Sequence, residues 1–256
     1  MKQKVLTDVE LRSRWNGKSG GECHVEQGTV LTPAARDFLR ERNIRLCVDN
    51  APPVYETMTV DPVPLRDGKP KFLDARTGEE VAQKGEGLTH LRGNLLVPKT
   101  HPRIAFRGAL DSLMARWLLV ELVAQEAGKT ALVRDLEELL QYLRRLLAAE
   151  VRETPLEPMR LLGMDSAQLR RTSHFVRETI GIDHPVPSCS MGRLPLELNF
   201  LRTQVREAEL VAAVAFTEEG RCSREDILEA LNRLSSCVYI LFCRELAGHY
   251  HREETR

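Results

Sequence analysis

From Pro102 onward the sequence is a succession of long 3.6-residue apolar periodicities cut by glycine and proline, and this alternation constrains the fold more than any other feature. Helical patterns run over about 103–127, 131–152, 165–180, 194–217 and 224–247. Gly128, Pro155, Pro158, Gly163, Gly181, Pro185, Pro187 and Gly220 punctuate them. Five helices of such length with short joints can bury their apolar stripes only against one another. The expected fold is therefore mainly α, a five-helix bundle over residues 98–256.

Residues 1–97 read as a small α+β appendage followed by a connector. Thr32 followed by Pro33 is an N-cap with proline in the first helical position, which predicts a helix over Thr32–Asn43. Ile44–Val48 reads as a strand, and Val54–Val60 is a further strand candidate inside a Pro-, Gly- and Asp-rich stretch from Asn50 to Gly87. Gly17-Lys18-Ser19-Gly20-Gly21 superficially resembles a phosphate loop. It lacks the GxxxxGK[ST] spacing and a strong strand before it, so a surface turn is expected.

The 37 Lys and Arg balance 37 Asp and Glu, so no global field favours nucleic acid, and an anion site would have to be local. With 5% aromatic residues, and Trp15 far in sequence from Trp117, a base-stacking platform is not expected. No apolar run reaches the length of a membrane span, and the N-terminus shows no signal-peptide pattern. Cysteines 23, 47, 189, 222, 237 and 243 show no CxxC spacing and read as reduced thiols of a cytosolic protein. His90, His101, His174 and His184 lack metal-binding spacing and read as hydrogen-bonded structural histidines.

The last two long helices each carry polar residues beside their apolar stripe. Between Pro195 and Phe216, Leu198, Leu201, Val205, Ala208 and Ala212 form the core stripe, and Asn199, Arg202, Arg206 and Glu209 form a polar row beside it. The next helix opens on Ser223-x-x-Asp226, a capping-box-like start. Its stripe is Ile227, Leu231, Leu234, Val238 and Leu241, interrupted or flanked by Asn232, Ser235, Ser236 and Tyr239. Such a row is either a solvated face or the wall of a site. If the latter, Lys99, Arg202 and Arg206 converge on a polyphosphate, and Asp111 or Glu209 holds a metal ion or orients an arginine. On the plainer reading Lys99 is solvated and Asp111 pairs with Arg107. The loop Ile182–Arg193 precedes the polar row and is placed to act as a lid.

Several blocks together resemble the corrinoid (cobalamin) adenosyltransferases, most nearly the ethanolamine-utilisation branch: Leu31–Leu39, Leu88–Leu91, Pro102–Ser112, Phe200–Glu209 and Leu231–Ser236. The resemblance implies a homotrimer of five-helix bundles with ATP and corrinoid bound where subunits meet. It implies a transferase that moves the 5′-deoxyadenosyl group of ATP to cob(I)alamin, with Mg²⁺, to make adenosylcobalamin for ethanolamine utilisation. Carried over by motif position, Lys99, Arg202, Arg206 and Asn232 contact ATP. Glu209 and Asp111 are Mg²⁺- or arginine-orienting carboxylates, and Arg233 and Ser235 complete the helix-pair site. It further implies a bacterial cytoplasmic protein that works with a reductase or an ethanolamine ammonia-lyase system, with a microcompartment as one setting.

Two family features are missing. Arg66–Lys84 holds no cysteine or histidine where many relatives carry a His…Cys-Cys-x-x-Cys cluster, so no transition-metal site is expected. The Gly-Asp-x-Gly-x-Thr loop of the propanediol type is also absent, with Thr7-Asp8 and Asn16–Gly21 as candidate replacements. The rival readings are a corrinoid-binding or scaffold protein without turnover, and an ordinary helical scaffold.

Overall fold

The structure, a computed structural model, describes residues 5–15, 20–26, 29–49, 72–158 and 160–251. The strand candidate Val54–Val60 and residues 16–19 of the glycine-rich turn lie outside them. The chain divides into two compact units, Met1–Pro62 and Val63–Arg256. The boundary expected from the sequence lies at 97/98, and the described residues 72–97 fall within the second of these units.

The first unit runs β1 (Val5–Leu6), α1 (Asp8–Trp15), β2 (Glu22–Glu26), β3 (Val30–Leu31), α2 (Pro33–Glu41) and β4 (Arg45–Asp49). Thr32 caps α2 as expected, its Oγ1 accepting from the Ala35 amide at 3.2 Å, with Pro33 in the first turn. Strands β2 and β4 pair in parallel, which requires a crossover, and α2 lies on it. Leu11, Cys23, Val25, Ala35, Phe38, Leu39 and Ile44 form the small core beneath.

The second unit opens with β5 (Phe72–Asp74), β6 (Glu80–Val81), β7 (Leu88–Arg92) and β8 (Leu95–Pro98), in the spatial order β6-β5-β8-β7. There follow α3 (Pro102–Glu126), α4 (Thr130–Arg152), α5 (Ser166–His174), α6 (Val176–Thr179), α7 (Arg193–Phe216), the two-stranded hairpin β9 (Thr217–Glu218) and β10 (Arg221–Cys222), and α8 (Glu225–Leu246). The protein is mainly α. Helix α7 packs against both α3 and α8, α4 against α3 and α8, and α5 against α8.

The apolar stripes read from sequence are the ones that pack. Leu198, Leu201, Val205, Ala208 and Ala212 of α7 are buried, as are Ile227, Leu231, Leu234, Val238 and Leu241 of α8. Each fully buried leucine contributes about 1.5–3 kcal/mol over leaving it in water. Trp117 is fully buried and spends its one polar group well, donating Nε1–H to the Leu136 carbonyl at 3.0 Å.

Two local expectations need correction. The single helix expected over 165–180 is two, because Phe175 (φ −114°, ψ 55°) leaves the helical region. Side chains bond the carbonyls around the break: Thr179 Oγ1 donates to those of Thr172 and Phe175, and His184 Nε2 reaches that of His174 at 3.1 Å. The Ser223/Asp226 capping box also fails to form. Helix α8 starts at Glu225 after Arg224, with no side-chain cap bond. Ser223 instead donates to the Phe216 carbonyl, and Asp226 accepts from the Leu156 amide and pairs with Arg224. Tertiary partners outbid the local motif.

Candidate functional site

Helices α7 and α8 face one another across the β9–β10 hairpin, and the polar row of α7 meets polar positions of α8. The Arg202 guanidinium lies over the Tyr239 ring, 5.7 Å from its centroid, and its Nη2 sits 3.5 Å from Asn199 Oδ1. Farther along, Glu209 lies in the field of Arg206 and Arg233. Burial pushes its carboxyl above the usual carboxylate range, and the two arginines oppose that rise. Ser235 is buried, and both it and Ser236 donate to the Asn232 carbonyl, at 2.8 and 3.2 Å. The hydroxyls thus serve the helix itself, while Asn232 and Arg206 remain exposed.

Two further features belong to this surface. Arg202 Nε and Arg233 Nε are buried with no hydrogen-bond partner among the described residues. A buried donor left unmade costs about 1–3 kcal/mol, and Arg116 Nε on α3 is buried without a partner in the same way. The second feature is a relay that the sequence did not reveal. Tyr239 hydroxyl and His184 Nδ1 are 2.7 Å apart, and their rings stack at 6.0 Å. Because His184 Nε2 donates to a carbonyl, neutral His184 accepts at Nδ1 from the Tyr239 hydroxyl. This relay ties the Ile182–Arg193 loop to the aromatic ring beneath Arg202. The histidine and tyrosine are 55 positions apart, which is why periodicity could not pair them.

The remaining candidates stand elsewhere. Lys99, in the turn before α3, has Glu86 as its ion-pair partner at 3.9 Å. Asp111 is exposed on α3 and does not take Arg107, contrary to the plainer sequence reading. Arg107 turns instead to Glu150, Nε to Oε2 at 2.6 Å, and Arg103 binds the other oxygen of that carboxylate at 2.6 Å. Glu150 is fully buried, and charge of that kind is retained only when paired. Arg103 and Arg92 also hold Glu153, at 2.7 and 2.5 Å, in the left-handed residue that ends α4. This network clamps the first turns of α3, just after Lys99, onto α4 and β7.

The Arg103 hydrogen bond holds the Glu153 carboxyl below its ordinary value of 4.5, against the smaller opposing effect of burial. A depressed folded-state value means the pairing stabilises fully above the unfolded value and is lost as pH falls through the folded one. Thermal midpoints of the parent protein should therefore drop between about pH 5 and 3 more steeply than those of Glu153→Gln. Parallel curves would show that the pairing does not titrate with folding.

The family model for cobalamin adenosyltransferase matches residues 81–245, and that of the corrinoid adenosyltransferase EutT N-terminal domain matches residues 5–53. Among curated proteins, the chain is similar to corrinoid adenosyltransferase EutT of Salmonella typhimurium, 34% identical over 95% of this chain and 93% of that protein. It is likewise similar to EutT of Escherichia coli K12, 35% identical over 92% of this chain and 90% of that one. Corrinoid adenosyltransferase PduO of Salmonella typhimurium is 28% identical over 60% of this chain and 46% of its own length. No solved structure matches the chain. The match across both units, with the polar α7–α8 row inside it, leads to one conclusion: this chain belongs to the cobalamin adenosyltransferase family.

Proposed function

We propose that the protein is an ATP:cob(I)alamin adenosyltransferase serving ethanolamine utilisation, and that its reacting polyphosphate lies along the α7–α8 row. The observation that carries the placement is the pair of unpartnered buried guanidinium nitrogens on Arg202 and Arg233, flanking exposed Arg206. Reduced cobalt is the nucleophile, so the chain needs none of its own. Cobalt supplies the electron pair for the Co–C5′ bond, the C5′–O bond breaks, and triphosphate leaves with that bond's electrons. Arg202, Arg206 and Arg233 neutralise the charge that builds on the leaving group, and Asn232 orients it. Glu209, between two arginines, fixes their direction and offers a single carboxylate oxygen site. That suits Mg²⁺ arriving with ATP, since the ion takes most of its ligands from phosphates and water.

Lys99 and Asp111 fit a site completed by a second copy. Asp111 lies on the same stripe of α3 as exposed Leu118 and Leu122, and Arg206 borders the stripe of exposed Phe200, Leu210 and Val214 on α7. Apolar faces of this kind on packed neighbours are interface surface, which supports a homotrimer. Among the described residues no helix is long and apolar enough to cross a membrane. Its similarity to bacterial EutT proteins supports a bacterial cytoplasmic setting, with a reductase supplying Co(I) and an ethanolamine ammonia-lyase consuming product.

The test is incubation with ATP, Mg²⁺ and chemically reduced cobalamin, following the absorption change on Co–C bond formation. Conversion dependent on both ATP and protein is expected. Corrinoid binding without conversion would favour a carrier or scaffold instead.

A further inference from the structure

Outside the α7–α8 surface, the described residues hold one cluster of metal-ligating side chains, in the first unit. Strand β2 places Glu22 and His24 on one face, because side chains two apart in a strand point the same way. In the parallel register His24 lies beside Cys47 of β4, and Glu22 beside Arg45. The opposite face of β2 carries Cys23 and Val25, both buried, so the core fixes which way the strand faces. An imidazole nitrogen, a thiol sulfur and a carboxylate oxygen thereby gather with all three ligand atoms within 4.8 Å of one another. Glu22 already leans toward its neighbours, 3.7 Å from His24 Nε2 and 3.7 Å from Arg45 Nη1.

We propose that Glu22, His24 and Cys47 form a binding site for a borderline divalent transition-metal ion of the Zn²⁺ class, clipping β2 to β4. The donor set selects the ion. Thiolate and imidazole suit Zn²⁺ and its late first-row neighbours, whereas Mg²⁺ and Ca²⁺ demand oxygen ligands. Zinc bonds of about 2.0–2.3 Å bring ligand atoms closer together than they stand here, a small adjustment for side chains at the surface. Three protein ligands leave a fourth position to water. Binding displaces the Cys47 proton, and Arg45 competes with the ion for Glu22, so affinity rises with pH and is weaker than in a closed four-ligand site. The expectation of no transition-metal site rested on Arg66–Lys84, which contains none of these residues. The proposal is independent of the adenosyltransferase reading.

Co²⁺ is the probe, added to the reduced full-length protein without ATP or corrinoid. A thiolate-to-cobalt charge-transfer band should appear, saturate near one ion per chain, and vanish on addition of Zn²⁺. Cys47→Ser should lose the band and His24→Ala should weaken it. Cys189→Ser, which removes an exposed thiol elsewhere, should keep it. Zn²⁺ should raise the thermal midpoint of the parent but not of Cys47→Ser. Absence of the band in the parent, or its persistence in Cys47→Ser of unchanged circular dichroism, overturns the proposal.

Discussion

Arg206→Ala is expected to slow adenosylation by about 10²–10³-fold, the range seen when one preorganised charge-stabilising donor is removed from a transition state. Stability should scarcely move. Arg206 is exposed on α7, away from the buried stripe of Leu198, Leu201 and Val205, and surface substitutions of that kind stay within about 0.5 kcal/mol. Arg206→Lys should recover part of the rate, since it restores the charge but not the planar fork that grips two phosphate oxygens. The measurement pairs the initial rate of Co–C bond formation with the thermal midpoint of each variant. A fall in both together would make Arg206 a structural residue, and an unchanged rate would remove the phosphate from this row.

Glu150→Ala should produce the largest loss of stability. Its carboxylate is fully buried and holds Arg103 and Arg107, whose side chains are themselves only 16% exposed. Removing the acid strands the Arg107 guanidinium in a dry environment and leaves Arg103 only Glu153 and the residue-150 carbonyl, at about 3–5 kcal/mol. For a domain of this size that corresponds to a fall of roughly 6–20 °C in thermal midpoint. Replacing all three residues, Arg103→Met, Arg107→Leu and Glu150→Leu, should recover much of the loss, because no charge is then left without a partner. Calorimetry on the single and triple variants checks both statements. A single variant that melts with the parent would mean that water already reaches the cluster.

These two residues also show what the amino-acid order discloses and what it conceals. The core stripes of α7 and α8 and the polar row beside them follow from one helical period, and their burial agrees with it. Thr32 capping α2 is similarly local. Glu150, by contrast, meets Arg103 across 47 positions and Arg107 across 43. On α3 alone, Arg107 and Asp111 look like a ready i,i+4 pair, but a buried acid on the next helix offers a stronger partner than a solvated one. The same distance hid the His184–Tyr239 relay. It also hid the Glu22–His24–Cys47 cluster, which depends on a parallel register that no local pattern specifies.

One small piece of backbone joins α7 to α8. The β9–β10 hairpin pairs Glu218 with Arg221, so its loop is just Glu219 and Gly220, both at positive φ (49° and 78°). That is the signature of a type I′ turn, whose twist suits the strands on either side. Gly220 tolerates the conformation freely, while Glu219 is held there at some strain. The turn therefore returns the chain from α7 towards α8 with only two residues between the short strands. One residue more in that tip would break its two-residue geometry. Comparing such an insertion with the parent would show whether the pairing of Arg202 with Tyr239, and of Glu209 with Arg233, depends on the joint or on the buried stripes alone.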